Sequence, residues 1–452
     1  MQHWSVIEID ARISRTLSRR YLRNFGLPAV VLATLYVACA DPAKKVNKGS
    51  GGAPGSAGME VGDAGQSETG GSHAMGGSHA TGGMSDAGEG GMAEGGEAGA
   101  SEATGGKGGS GGAAQGGSGG MAPDPCTLTT VGGPSRIPPA PTTGVPKPAG
   151  AVGNLMVINW AGFKGAISYT FDDALQTQLA HYNELNAVGV PMTFYLVCSK
   201  ALNDQAWTKA ATDGHELGNH TMHHCTADGK TCDFGGPFVD VATELDACTA
   251  QIKANFGVDA YTLAAPRGDG GYTEPATSRF LLNRGVYDDP AGVVPNSAAN
   301  PWTLPCHIAA MGETAEMANG YNSVSDDVRV KGTWRIILSH SLEMDGTYNP
   351  VLASEVVKAM TYTKSLGDVW ADTMLKVGSY WRAQKLISGV QPKSVGSDNV
   401  YSWTLPAHFP PGQYVRAKVS GGKVKQCGTE LTWDDHGYYE INLDAGSVTV
   451  SP

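Results

Sequence analysis

A glycine-rich tract near the N-terminus places the strongest limit on what this chain can fold into. Residues 42–123 hold 29 of the 63 glycines in the 452-residue chain, and they include no Phe, Tyr or Trp. Such a composition cannot bury enough apolar surface to offset the entropy that is lost on ordering. We therefore predict a disordered linker over 41–150, Pro-rich and stiffer in its last part, and a folded region after it.

The first 40 residues have the pattern of an export signal. Five arginines between positions 12 and 23 precede an apolar run over 25–38, which is shorter than a membrane-spanning helix. Two cleavage patterns remain open. Residues 35–39 resemble a lipoprotein box in which Cys39 carries a lipid and contacts a membrane, whereas Ala38-Cys39-Ala40 also fits ordinary secretion. Both patterns predict an exported protein, as a cell-envelope lipoprotein or an extracellular one.

The charge of the chain argues against nucleic acid as a partner. The net charge is −11, and no dense cluster of Lys and Arg follows residue 23. A phosphate-binding surface needs a basic face, and this sequence offers none beyond the signal.

The cysteines are typical of an exported protein. There are eight, and if Cys39 carries lipid an odd number remains, which leaves at least one thiol unpaired. Cys225 and Cys232 are close enough in sequence to close one loop by a disulfide. Cys198 lies in an apolar, strand-like run, so we predict that it is a buried free thiol.

From residue 155 the hydrophobic pattern alternates between short apolar strands and amphipathic helices. Repetition of this unit indicates a parallel sheet with helices on its outside, either open or closed into a barrel. In such folds the functional side chains lie at the carboxyl ends of the strands. The predicted strands are 166–171, 192–197, 216–219, 261–265, 334–339 and 369–370, and the predicted helices are 175–188, 207–212, 243–256, 351–365 and 373–385.

Three of these strand ends carry residues suited to metal-assisted chemistry. Asp172 and Asp173 directly follow the first strand, and one Asp alone would be explained as a helix cap. His220 and His224 follow a later strand at a spacing that places both on one face of a helical turn, where a carboxylate could complete an Asp-His-His zinc site. His340 ends the strand 334–339. Acids and histidines at separate ends of one parallel sheet predict a single catalytic site.

These residues match the motifs of a known family. Thr170-Phe171-Asp172-Asp173, His220-Thr221-x-x-His224 and Leu338-Ser339-His340 resemble the first, second and fifth motifs of the polysaccharide deacetylases, the NodB-homology domain or carbohydrate esterase family 4. The resemblance covers roughly residues 155–385. It implies an irregular (β/α) barrel and a metal-dependent hydrolase that removes acetyl groups from sugars. The implied roles are metal ligands for Asp173, His220 and His224, a divalent metal that is usually zinc, a general base for Asp172 and a general acid for His340.

Two other motifs of the family are altered or short. The family places an Arg just ahead of Pro-x-Gly, where it pairs with the catalytic Asp; here Ala265 precedes Pro266, and Arg267 follows it. Arg267 could still reach the site from its different backbone position. Asp368-Val369-Trp370 resembles the fourth motif, in which the Trp lines the acetyl pocket and the Asp tunes the acidic His.

After the catalytic domain, predicted to span 151–386, the pattern changes to short alternating stretches. Residues 387–452 are therefore predicted to form a small all-β appendage. Its aromatic residues could stack on sugar rings or form the core of a small sandwich. The residues concerned are Trp403, Trp433 and Tyr439.

Together these features predict an α/β protein: a deacetylase-type (β/α) barrel with a β-rich appendage and a long N-terminal tether. The predicted partner is a polysaccharide, either an N-acetylglucosamine polymer or acetylated xylan, and the catalytic domain is expected to be monomeric. The alternative function is a surface-anchored carbohydrate-binding protein that has lost catalysis on the same scaffold, a possibility raised by the altered third motif.

Overall fold

The structure is a computed structural model that describes residues 135–201 and 205–452. The predicted export signal and most of the predicted linker lie outside the described residues. No helix within the described ranges is long and apolar enough to cross a membrane. Strand β1 (Met156–Val157) precedes the barrel, whose strands are β2 (Gly165–Phe171), β3 (Thr193–Leu196), β4 (Glu216–Asn219), β5 (Thr262–Ala264), β6 (Leu282–Arg284), β7 (His307–Ile308), β8 (Trp334–Ser339) and β9 (Val369–Ala371).

Most helices lie between these strands, the last helix follows β9, and the remaining strands follow that helix. The helices are α1 (Gln176–Ala180), α2 (Tyr182–Ala187), α3 (Gln205–Thr212), α4 (Val241–Phe256), α5 (Thr273–Thr277), α6 (Tyr321–Lys331), α7 (Ala353–Ser365) and α8 (Met374–Ser388). The last strands are β10 (Lys393–Val395), β11 (Asp398–Ser402), β12 (Tyr414–Lys418), β13 (Lys423–Gln426), β14 (Thr429–Glu430), β15 (Tyr439–Asn442) and β16 (Ser447–Ser451).

Strand β2 is the centre of the main sheet. All seven of its residues are buried, as expected of a parallel strand that is covered on both faces. It pairs with β8 from Ala166 to Phe171, with β3 near its carboxyl end and with β9 near its start, and every one of these pairings is parallel. The carboxyl ends of β2, β3, β4 and β8 therefore open at the same end of the sheet.

The sheet curls into an irregular barrel. Its strand order is β6-β5-β4-β3-β2-β8-β7, with β9 paired to β2. The two edges meet through a parallel bridge between Arg284 at the end of β6 and Leu304, which leads into β7. Two backbone bonds secure this bridge: Leu304 N donates to Asn283 O at 3.0 Å and Gly285 N donates to Leu304 O at 2.9 Å. The predicted fold class is confirmed.

Alternate residues of the strands face two different cores. Ile167, Tyr169 and Phe171 pack with the outer helices, whereas Ala166 belongs to a second cluster inside the barrel. This alternation is the period of two that a strand imposes on its side chains. It explains why β2 is apolar throughout, since both of its faces are covered.

The observed elements differ from the predicted ones in two respects. The predicted helix 175–188 is two short helices that meet at His181, whose φ and ψ of −98° and 4° are not helical. Strands β6 and β7 and helix α6 were not predicted, because their apolar runs are short and lie among polar loops. The remaining predicted strands and helices occur within a few residues of their expected bounds.

The C-terminal strands form two antiparallel sheets, ordered β1-β12-β15 and β10-β11-β16-β13-β14. The appendage is thus all-β, but it is not independent of the barrel. Strand β1, which precedes the barrel, pairs with β12, and Val415, Tyr439 and Val450 share one core with Trp370 and Trp381 of the barrel domain. All described residues belong to one compact unit.

The aromatic residues of the appendage contribute to its core. Trp403 and Tyr439 are buried, and the indole of Trp403 donates to Leu443 O at 2.8 Å. Trp433 is half-buried; its ring packs edge-on against Tyr439 and its indole N–H donates to Val145 O at 2.9 Å. Of the two roles considered, core packing agrees with these contacts and sugar stacking does not.

A buried arginine joins the connector, the barrel and the appendage. Arg416 on β12 is only 1% exposed, and its guanidinium donates to Ala161 O and Ile137 O, both at 2.9 Å, and to Glu440 at 3.2 Å. Ser135 also bonds to Glu440. Residues from 135 onward in the predicted linker therefore lie against the C-terminal sheet rather than leading freely into the barrel.

Two disulfides are present among the described cysteines. Cys225 and Cys232 are bonded, as predicted. The prediction for Cys198 is wrong: it is bonded to Cys248 of α4, and the free thiol among the described residues is the buried Cys306. The apolar sequence around Cys198 suggested burial alone. The disulfide forms because the end of β3 places Cys198 next to α4, which carries Cys248.

Replacement of Arg416 tests whether barrel and appendage unfold as one body. Arg416→Met removes the guanidinium donors of two buried carbonyls and the charged partner of Glu440, so we expect a loss of about 3–5 kcal/mol in the free energy of unfolding. Lys418→Met, on the exposed end of the same strand, should change it by less than about 0.5 kcal/mol. Urea unfolding followed by fluorescence measures both variants; a small effect of Arg416→Met, or two separate transitions in the parent, would contradict the shared core.

Candidate active site

The first part of the site is the turn that follows β2. Asp172 N still donates to Ser339 O at 3.0 Å, so the pairing with β8 continues one residue beyond the strand. The backbone then turns sharply, since Asp173 and Ala174 have φ values of 75° and 50°. Non-glycine residues rarely occupy this left-handed region, and such strain is concentrated at functional sites. The turn separates the two carboxylates: Asp172 is buried and Asp173 is half-buried.

The two histidines come from the loop after β4. This loop is not the helical turn that the spacing suggested, because Thr221 and His224 have φ values of 65° and 56°. The left-handed residues fold the loop back, and the two imidazole rings meet edge-on with centroids 4.7 Å apart. His223, between them, points away and donates to Glu244 of α4.

Three side chains converge on one point. The distance from Asp173 Oδ1 is 3.4 Å to His220 Nε2 and 3.7 Å to His224 Nε2. The other nitrogen of each ring is already bonded: His220 Nδ1 donates to Ala264 O at 2.7 Å, and His224 Nδ1 donates to Asp233 at 2.6 Å. In the neutral form of each ring these bonds leave Nε2 without a proton, and they turn it toward Asp173, as in histidine metal sites.

The donor set fits a divalent metal ion. Asp173 Oδ1 and His220 Nε2 are buried and have no hydrogen-bond partner among the described residues, which is costly unless something binds them. One carboxylate and two imidazoles make three ligands, the number typical of catalytic zinc sites. The local potential is also negative: burial lowers the pKa of His220, but the carboxylates of Asp172 and Asp173 outweigh it and raise that pKa.

The same environment acts on the other ligands. Burial disfavours the charged form of Asp173, yet the neighbouring imidazoles, His220 above all, hold its pKa well below the ordinary value. Burial and the proximity of His220 lower the pKa of His224. An ionised carboxylate and a neutral imidazole are the protonation states that metal binding requires.

Asp172 is held by an arginine that was not predicted. Both carboxylate oxygens accept from Arg284 Nη2, at 2.5 and 2.6 Å, and the Arg284 side chain is fully buried at the end of β6. The charge of Asp172 holds the pKa of Arg284 above its ordinary value against the effect of burial. Asp172 Oδ2 lies 3.6 Å from His220 Nε2, so the carboxylate held by Arg284 is beside the proposed metal ligands.

A buried glutamine joins the ends of β2 and β8. Gln178 Nε2, in α1, donates to Asp172 O at 2.6 Å and to His340 O at 3.1 Å. His340 follows β8, and burial lowers the pKa of its imidazole. Its Nδ1 is buried without a partner in the described ranges, and its ring packs edge-on against Tyr348.

These groups line one open cavity of about 460 Å³, a size typical of small-ligand sites. The predicted catalytic and metal-binding residues are all present in it. Its apolar walls are Phe234, Val286 and Tyr348. The remaining lining residues are Asp172, Asp173, His220, His224, Asp233, Arg267 and His340.

The predicted supporting residues have different positions from those expected. Arg267 reaches the cavity but bonds Asp233, at 2.5 Å, rather than Asp172. The prediction that Asp368 supports the site is wrong. Asp368 directly precedes β9, at the opposite end of the barrel from the cavity, where it pairs with Arg329 and Lys164.

Trp370 also requires correction. Its register places it beside Ala166 at the start of β2, and it is 1% exposed in the core, with its indole bonded to Asp372. It therefore does not line the cavity. The motif Asp368-Val369-Trp370 correctly indicated a strand, but the side chains of that strand serve packing and an ion pair.

Sequence reasoning missed Arg284 because β6 is only three residues long. The signal was nevertheless present: the apolar run Phe280-Leu281-Leu282 ends in Asn283-Arg284-Gly285, the same pattern of a short strand followed by a charged residue that marked Asp172. Gln178 carried no signal, since a glutamine in a helix is ordinarily exposed.

The buried pair of Arg284 and Asp172 predicts strong coupling in stability. Arg284→Met strands a buried carboxylate and should lower the free energy of unfolding by about 3–5 kcal/mol. The double variant Arg284→Met/Asp172→Asn should recover much of that loss, because the stranded charge is gone. Arg267→Met, an exposed arginine of the same cavity, should cost at most about 1 kcal/mol. Urea unfolding of metal-free protein measures the cycle, and additive single effects would contradict direct pairing.

Comparison with known proteins adds four similarities. A Mycobacterium smegmatis protein described under the name polysaccharide deacetylase has a TM-score of 0.38 at 17% identity, over 53% of this chain and 96% of its own. A family 4 acetyl xylan esterase from Clostridium thermocellum, solved with cobalt, has a TM-score of 0.31 at 18% identity, over 47% and 89%. A gellan lyase from Bacillus sp. is 27% identical over 245 residues, half of this chain, and the chain spans only 10% of that protein.

The fourth similarity is to a protein family. Residues 162–280 match the family model described as polysaccharide deacetylase. The matched segment contains Asp172, Asp173, His220 and His224, and the barrel continues beyond it to Arg284 and His340. The chain therefore contains a domain of the polysaccharide deacetylase family, with the NodB-homology fold.

Proposed function

We propose that this protein is a metal-dependent hydrolase that removes acetyl groups from a polysaccharide. One observation carries the proposal: the carboxylate of Asp172, held by Arg284, lies beside three side chains whose free ligand atoms converge. Family and fold support a carbohydrate deacetylase, and this arrangement supports the metal dependence. A divalent cation such as zinc, held by Asp173, His220 and His224, would supply Lewis-acid polarisation of the acetyl carbonyl and of an attacking water.

Asp172 is the general base of the proposed reaction. Its two oxygens accept from Arg284 yet keep further lone pairs, so it can take the proton of a water in the cavity. Arg284 fixes the plane of the carboxylate, because its buried guanidinium donates to both oxygens and is the counter-charge. The base is thus held in a fixed, buried position beside the cavity.

His340 is the general acid. It lies at the end of β8, next to the end of β2 that bears Asp172, and Gln178 bonds to the backbone oxygens of both residues. This shared anchor sets the base and the acid on adjacent strand ends that face one cavity. A protonated His340 can therefore donate to the departing sugar oxygen or nitrogen while Asp172 acts on the water.

The apolar part of the cavity gives a place for the acetyl methyl group. Val286 follows β6 and lines the cavity, together with the rings of Phe234 and Tyr348 at its rim. Apolar lining around a few convergent polar groups is the ordinary composition of a small-ligand site. These residues take the role that the family resemblance had given to Trp370.

The proposed substrates are an N-acetylglucosamine polymer or acetylated xylan, and the protein is proposed to act as a monomer. Both substrates carry an acetyl carbonyl on a sugar ring, and the same base, acid and ligands serve either bond. The alternative, a surface-anchored binding protein without catalysis, is not favoured. It was motivated by the missing third-motif arginine, and Arg284 now supplies that contact, while the appendage aromatics are packed in its core.

Export through the N-terminal signal remains part of the proposal. The disulfides Cys198–Cys248 and Cys225–Cys232 support it, because such bonds persist in oxidising compartments. A lipid on Cys39 would anchor the enzyme, with residues 42–123 as a spacer between membrane and barrel. A Cys39→Ser variant expressed in a lipoprotein-forming bacterium should move from the membrane fraction to the medium; retention in the membrane would favour another anchor.

Acetate release tests the reaction directly. Purified protein should release acetate from at least one member of a panel of chitin oligomers, peptidoglycan and acetylxylan. Asp172→Asn and His340→Ala should lower kcat by about 10²–10⁴-fold, since each removes one proton-transfer group. His436→Ala, in the appendage, is the matched control and should keep full activity. Wild-type rates in the first two variants would rule out the proposed roles.

Metal removal tests the ligand assignment. Chelation should abolish acetate release, and added zinc or cobalt should restore it. The appendage carries a second candidate ligand group, formed by Asp434, Asp435 and His436. An Asp434→Asn variant should keep full, metal-dependent acetate release, because this group is not part of the proposed site. Full activity in chelated, metal-free protein would contradict the proposal, as would loss of metal dependence in Asp434→Asn.

A further inference from the structure

A line of three charged or polar groups extends outward from the proposed metal ligand His224. His224 Nδ1 donates to Asp233 Oδ2 at 2.6 Å, and Asp233 Oδ1 accepts from Arg267 Nη2 at 2.5 Å. The two oxygens of one carboxylate thus serve different partners. The His224 side chain is 12% exposed and that of Asp233 is 30% exposed, so the bond between them lies at the rim of the cavity and borders solvent.

The loop that carries Asp233 is closed covalently. The disulfide Cys225–Cys232 joins its two ends, and Thr226 N donates to Thr231 O at 2.8 Å inside it. Asp233 directly follows the disulfide, just as Cys225 directly follows His224. Because the disulfide joins Cys225 to Cys232, it brings Asp233, which follows Cys232, beside His224, which precedes Cys225.

Neighbouring elements hold this closed loop on the barrel. Tyr272 donates from its hydroxyl to Cys225 O at 2.8 Å, and Ala227 N donates to Asp269 Oδ2 at the same distance. Both partners come from the segment after β5. The loop is thus fixed at its start and near its middle by groups that are not themselves in the cavity.

Arg267 reaches Asp233 because of an unusual backbone conformation in that same segment. Its φ is 56°, in the left-handed region, and the next residue, Gly268, has a φ of 68° and stands so close to Val286 that a Cβ there would lie 2.7 Å from Val286 N. A non-glycine residue in this conformation is strained. The conformation directs the Arg267 side chain toward the loop that carries Asp233. Arg284, from the next strand, is left to hold Asp172.

We propose that Asp233 is a positioning residue for the metal ligand His224, held in place by the Cys225–Cys232 disulfide and by Arg267. Asp233 fixes the tautomer and the plane of the imidazole, so Nε2 faces Asp173 before a metal arrives. Arg267 fixes the second carboxylate oxygen and neutralises the charge that Asp233 adds to an already acidic cavity. The inference rests on the proposed metal site. It adds Asp233 and Arg267 as supporting residues, and their arrangement depends on the Cys225–Cys232 disulfide.

The test is the affinity of the purified full-length protein for zinc and cobalt, measured by competition with a chromophoric chelator. Asp233→Asn and Asp233→Ala should bind about 10–100-fold more weakly than the parent, the usual effect of losing the partner of a histidine ligand. Asp228→Asn is the matched control: Asp228 lies in the same closed loop, and the partners of its side chain among the described residues are its neighbours Thr226 and Lys230, so its variant should bind like the parent.

Removal of the disulfide should act in the same direction. A Cys225→Ser/Cys232→Ser protein, with a melting temperature in chelator close to that of the parent, should also bind zinc about ten-fold or more weakly, and Arg267→Gln should show a smaller loss than Asp233→Ala. Parent-like zinc affinity in Asp233→Ala would overturn this inference alone. Absence of zinc and cobalt binding in the parent would instead overturn the proposed metal site, so the two failures can be told apart.

Discussion

The buried ion pair between Arg284 and Asp172 is the contact on which the geometry of the site depends. It joins the last residue of β6 to the residue after β2, which are 112 positions apart in sequence. A buried charge pair is costly unless its geometry is good and its other polar groups are bonded. Here both carboxylate oxygens accept from one guanidinium and Arg284 Nη1 donates to Gly285 O at 3.0 Å, whereas Arg284 Nε is buried without a partner among the described residues. The pair can form only if the curled sheet brings β6 opposite β2.

The barrel closure and the ion pair are therefore parts of one arrangement. Arg284 also forms the backbone bridge to Leu304 that joins the two edges of the sheet. The backbone of this residue closes the barrel and its side chain holds the proposed base. On the other side of the cavity, left-handed conformations at Asp173, Thr221 and His224 fold two loops inward. Their backbone strain is offset by the packing of the strands that precede them, and it aims the ligand atoms at one point.

Much of this architecture could be predicted from sequence because it follows from local patterns. Strand β8 was predicted at its observed bounds, since its apolar run is long and ends in Ser339-His340. The residues Asp172, Asp173, His220 and His340 could be named because a family motif and a strand end coincide at each. The disulfide within the loop 225–232 could be predicted because its partners are near in sequence.

Contacts between distant residues could not be predicted in the same way. Arg284 lies on a strand of three residues, and nothing local shows that it faces Asp172. Cys198 pairs with Cys248 because α4 crosses β3, which is a consequence of packing rather than of spacing. Asp368 and Trp370 were misplaced because a short motif indicates a strand but does not tell at which end of the barrel its side chains lie. The position of a residue along its strand decides whether it faces the cavity or the opposite end.

The central claim is that Asp173, His220 and His224 hold a divalent metal beside Asp172. Anomalous diffraction at the zinc edge, from crystals of the protein grown with zinc, tests it most directly. The account predicts a peak about 2.0–2.2 Å from Asp173 Oδ1 and from the Nε2 atoms of both histidines, with Asp172 still held by Arg284. Zinc found only elsewhere, as at Asp434 and His436, with this position empty, would contradict the account.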